Sequence, residues 1–62
     1  MDKSASECFQ KSIGYLEEMG DELELAKSLE AYGNFLIERN VKNKGRKLIK
    51  RAQSILQRVN KS

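Results

Sequence analysis

The stretch Ala26-Lys27-Ser28-Leu29-Glu30-Ala31-Tyr32-Gly33-Asn34-Phe35-Leu36 decides the fold. At about 100° per residue, Ala26, Leu29, Gly33 and Leu36 line one side of a helix, whereas Leu25, Tyr32 and Phe35 turn toward another. A helix that is apolar on two sides requires a neighbour on each. The segment from Asp21 to Arg39 therefore reads as the middle helix of three.

The flanking punctuation agrees. Gly20 and Asn40 both suit the left-handed conformation that ends a helix, and the connections they leave are so short that successive helices run antiparallel. Ser4 with Glu7, and Asp21 with Glu24, read as capping boxes at helix starts. Beyond Asn40, the residues Gly45, Leu48, Ile49, Ala52, Ile55, Leu56 and Val59 recur in steps of three and four, which gives the third helix a single apolar stripe. The first segment carries the same offsets forty residues earlier, at Ala5, Cys8, Phe9, Ser12, Tyr15, Leu16 and Met19. Small residues recur at Ala5/Gly45 and Ser12/Ala52, so the chain reads as an internal repeat, with Cys8 as a small core residue. The sequence thus predicts an all-α fold of three antiparallel helices near 4–19, 22–39 and 42–59, in one domain spanning 1–62. Ala26 and Gly33 are to meet Gly45 and Ala52 closely enough for Leu29, Leu36, Leu48 and Ile49 to interlock. A bulky residue at Gly33 or Ala52 should then cost roughly 1 to 3 kcal/mol by overpacking.

Composition bounds the function. Sixty-two residues with 39% hydrophobic content provide one modest core and little room for a catalytic cleft with its supporting shell. There is no His and only one Cys, so neither a neutral-pH proton shuttle nor a thiolate metal site is available. We expect no enzyme, no cofactor, no metal and no small-molecule substrate. The lone Cys forms no disulfide within the chain, the longest apolar run is Phe35-Leu36-Ile37, and Met1-Asp2-Lys3-Ser4 begins no signal peptide. These features predict a soluble, cytoplasmic chain. Asn60-Lys61-Ser62 matches a glycosylation acceptor, which carries no meaning in that compartment.

The stretch from Ala26 to Leu36, with the turn at Asn40 and then Gly45, Ile49 and Ala52, resembles one tetratricopeptide repeat of paired antiparallel helices. Tyr32 stands at the family's usual Leu site, Asn40 at its usual turn Gly and Gly45 at the first small residue of its second helix. Leu29 stands where the family often has Trp, and Val59-Asn60 replaces its closing Pro. Residues 5–20 resemble the second helix of a preceding repeat, so about one and a half repeats cover 5–59, with a period longer than the common one of about 34 residues. The resemblance implies a protein-binding scaffold whose first helices hold an extended peptide or a partner helix. Carried onto this chain, the binding positions are Lys27, Glu30, Ala31, Asn34, Ile37 and Glu38, on the side of the middle helix left free by both stripes. The carboxylate clamp of some family members needs several repeats, and Glu30 would repel an anion, so it is not carried over.

Charge suggests an alternative. Residues 1–41 carry nine acids and four bases, whereas 42–62 carry eight bases and no acid, within a net charge of +3. Lys44, Arg46, Lys47, Lys50, Arg51 and Arg58 lie opposite the third helix's apolar stripe, where they could bind nucleic acid or anionic membrane electrostatically. The simpler reading is a solubilising face partly paired with Glu17, Glu18 or Glu38. No aromatic residue lies between these bases to stack on nucleobases, which ranks this partner below another protein or peptide. Asp21, Glu22 and Glu24 sit in a first helical turn, where carboxylates cap the helix and favour its dipole. One and a half repeats also leave apolar ends that invite self-association.

Overall fold

Two turns of one design organise the molecule. The computed structural model describes residues 2–61, with side chains from 4 to 60, as three helices: α1 (Asp2–Met19), α2 (Glu22–Glu38) and α3 (Lys42–Lys61). At the end of α1 the Asp21 N–H donates to Leu16 O at 3.3 Å and the Gly20 N–H to Glu17 O at 3.3 Å, with Gly20 at φ 76°. At the end of α2 the Val41 N–H donates to Leu36 O at 2.8 Å and the Asn40 N–H to Ile37 O at 3.1 Å, with Asn40 at φ 68°. Both are Schellman motifs, which satisfy the last helical carbonyls while reversing the chain.

Helix starts differ more. Asp21 caps α2, its Oδ1 accepting from the Glu24 N–H at 3.3 Å. The Asp21 N–H is already bonded to Leu16 O, so the reciprocal half of a capping box has no donor left to serve. Ser4 does not cap α1. The helix begins at Asp2, which places Ser4 inside its first turn, past the position from which a side chain caps. The other boundaries fall within two residues of expectation, with α3 running on to Lys61.

The α2·α3 contact is made backbone to backbone. A Cβ built on Gly33 would lie 2.6 Å from Ile49 Cγ1 and 2.7 Å from Gly45 O, and one on Gly45 would lie 2.6 Å from Gly33 O. Neither position has space for a side chain. Ala26 and Ala52 are wholly buried in the same seam, beside the fully buried Leu29 and the buried Leu36 and Ile55. Truncating Leu29 would forfeit its transfer energy and leave a cavity, at about 2 to 5 kcal/mol.

The α1·α2 contact is made by rings instead. Phe9 stacks on Tyr32 with centroids 5.1 Å apart and tilts against Phe35 at 5.5 Å, with Ile13 and Leu16 packed alongside. Among the described residues, α1 and α3 each pack on α2 and not on one another. No helix among the described residues is long and apolar enough to cross a membrane.

Candidate functional site

With α1 covering Leu25, Tyr32 and Phe35, and α3 covering Ala26, Leu29, Gly33 and Leu36, α2 keeps one side open. Lys27, Glu30, Ala31, Asn34 and Glu38 are all exposed there, at spacings of three and four that keep them on one strip. Ile37 departs from this pattern. It is half-buried, because the missing side chain at Gly45 leaves a gap that Ile37 Cγ1 fills, 2.7 Å from where a Cβ on Gly45 would stand. Ile37 therefore forms the strip's edge against α3. Lys27 Nζ lies 3.9 Å from Glu24 Oε1, an exposed pair that constrains neither side chain strongly. The strip is thus a mixed-charge surface with a small central residue, Ala31, and an amide, Asn34, which can both donate and accept hydrogen bonds.

The basic positions of α3 are likewise exposed: Lys44, Arg46, Lys47, Lys50, Arg51 and Arg58. They do not act as one patch. Arg51 reaches across to Glu17 of α1 at 2.5 Å, and Arg58 reaches Glu22 of α2 at 3.3 Å. These two pairs line an open groove of about 820 Å³, floored by Leu16, Leu25, Ile55 and Val59, where α1 and α3 diverge over α2. Of the expected acidic partners, Glu17 is used, and Glu22 serves where Glu18 and Glu38 were alternatives. Among the described residues, Arg46, Lys47 and Lys50 enter no ion pair. The start of α3 holds no acid, and Val41 precedes it where a capping side chain could stand.

Tyr32 joins the three helices. Its hydroxyl accepts from Gln10 Nε2 of α1 at 3.2 Å, and Lys44 Nζ of α3 lies 5.9 Å from its ring centroid. Burial pushes the phenol's pKa up, but hydrogen bonds with Ser6 and Gln10 and the charge of Lys44 outweigh it, so the net direction is down. At the far end of α2, the Arg39 guanidinium stands 5.3 Å over the Phe35 ring.

The face of α1 differs most from expectation. Cys8 is exposed and is not a core residue; Ser12 is exposed as well, as are Tyr15 at 65% and Met19 at 60%. The residues that meet α2 are Phe9, Ile13 and Leu16, so Phe9 and Leu16 of the translated stripe pack on the core with Ile13, whereas Cys8, Ser12, Tyr15 and Met19 do not. The spacing of Ile13, four after Phe9 and three before Leu16, carried this signal. Among the described residues, no group of three or more His, Cys, Asp or Glu is placed to hold a metal ion. Comparison with known protein families, with curated proteins and with solved structures finds no match.

Proposed function

We propose that this chain is a non-catalytic protein-interaction module, a tetratricopeptide-like scaffold that binds an extended peptide or a partner helix along the open strip of α2. One observation carries the reading: α2 is held from two sides while Lys27, Glu30, Ala31, Asn34 and Glu38 remain exposed on its third. Such a strip is rigid because its helix is fixed elsewhere, so binding orders few groups on this side of the interface. The free thiol of Cys8 suits a reducing compartment, in keeping with a cytoplasmic scaffold. The test is selection of binding peptides from a random library on the immobilised chain, followed by titration against the Lys27→Ala, Asn34→Ala, Glu38→Ala triple variant. Affinity should fall about tenfold, since three interface truncations of about 0.5 kcal/mol each sum to about 1.4 kcal/mol. Unchanged affinity in the triple variant defeats the reading.

A second reading draws on the eight bases and absence of acid in residues 42–62. Arg51 and Arg58 already have carboxylate partners, so binding of a polyanion would rest on Lys44, Arg46, Lys47 and Lys50. Association with nucleic acid or anionic vesicles at ~50 mM salt, lost steeply as salt rises, would support it.

A further inference from the structure

The outer side of α1 is a second apolar stripe: Ala5, Cys8, Ser12, Tyr15 and Met19, at alternating steps of three and four. Neither α2 nor α3 covers it. Its N-terminal half is a shallow apolar groove of about 280 Å³ framed by Ala5, Cys8, Phe9 and Ser12. Four residues at i, i+3, i+4 and i+7 form the hole into which a facing helix inserts a side chain. Its C-terminal half projects two large side chains, Tyr15 and Met19. The stripe therefore holds a depression at one end and protrusions at the other, which fit together when two copies run antiparallel.

Charge selects the same arrangement. Beside the stripe, on the edge away from α2, stand Lys11 and Glu18, both exposed and neither ion-paired among the described residues. We propose that two copies of this chain associate through α1, antiparallel about a two-fold axis, with Ser12 opposite Tyr15 of the second copy and Met19 of the second copy seated in the groove at Cys8. In that register each Lys11 comes beside Glu18 of the other copy, giving two symmetric ion pairs. A parallel pairing instead sets Lys11 against the Leu16 edge, which faces α2, and gains no such pair. The stripe shares no residue with the open strip of α2, so each surface can be substituted without altering the other.

The test uses the intact chain. Sedimentation velocity from micromolar to millimolar concentration should show wild type shifting from monomer to dimer mass. Lys11→Glu brings two like charges together at both sites and should weaken the dimer about tenfold, and adding Glu18→Lys should restore it. Met19→Cys places a thiol against Cys8 of the second copy and should yield a covalent dimer on mild oxidation. Wild type should not crosslink, because the two Cys8 residues lie about 16 Å apart along the axis in this register. Circular dichroism confirms that these substitutions at exposed sites leave the helices intact. A monomer mass throughout, an unchanged dimer in Lys11→Glu, or no covalent dimer in a folded Met19→Cys chain overturns the proposal. So does ready Cys8-to-Cys8 crosslinking in wild type; a persistent monomer assigns the stripe to a helix of another protein.

Discussion

The two seams of α2 hold by different means. Against α3, Gly33 and Gly45 bring main chain onto main chain, Ala26 and Ala52 continue the approach, and neither glycine has room for a Cβ. Against α1, Phe9 bridges a wider gap by laying its ring on Tyr32 and Phe35. A seam of small residues depends on shape and loses by addition, whereas a seam of rings depends on filling and loses by removal. The difference separates the molecule into a tightly joined α2·α3 hairpin and an α1 docked on it.

The largest expected effect comes from adding bulk to the tight seam. Gly33→Leu must push the helices apart against both Ile49 and the Gly45 carbonyl, and should cost about 3 kcal/mol, lowering the melting temperature by about 15 °C. A melting temperature within a few degrees of wild type would show that the seam can open without penalty. Removal from the ring seam is next. Phe9→Ala should cost about 2 kcal/mol and act locally, with α1 amides exchanging about thirtyfold faster while α2 and α3 keep their protection. Uniform loss of protection would mean that the two seams form one cooperative unit. The smallest effect sharpens the contrast through one substitution at two glycines. Gly14→Ala has nothing within 4 Å of the new Cβ and should stabilise by about 0.5 to 1 kcal/mol through helix propensity, whereas Gly33→Ala should destabilise despite the same propensity gain. Thermal melts of the pair read the two signs directly.

Much of the tight seam was legible in the sequence because its constraints are local. The small residues of α2 and α3 are spaced along single faces, and Gly20 and Asn40 mark reversals that leave only one way for neighbours to pack. The loose seam was less legible. Periodicity tells which residues share a side of α1, but α1 has two candidate sides, and transferring the facing of α3 onto it joined Cys8, Ser12, Tyr15 and Met19 of the outer side to Phe9 and Leu16 of the inner one. Ile13 decides between them, since only the Phe9, Ile13, Leu16 side brings aliphatic and aromatic bulk to Tyr32 and Phe35. The exposed strip of α2 followed from its two stripes by subtraction, except at Ile37, whose half-burial depends on the space that Gly45 leaves in another helix. The pairing of Arg58 with Glu22 likewise spans 36 positions and depends on where the chain turns, which no local pattern records.

That α1 and α3 each lie on α2 without packing on one another also bears on how quickly the structure assembles. The packed helix pairs are consecutive in the chain and joined across turns of two or three residues, so no long loop has to close before its contacts form. Such low contact order places folding on the order of microseconds to milliseconds.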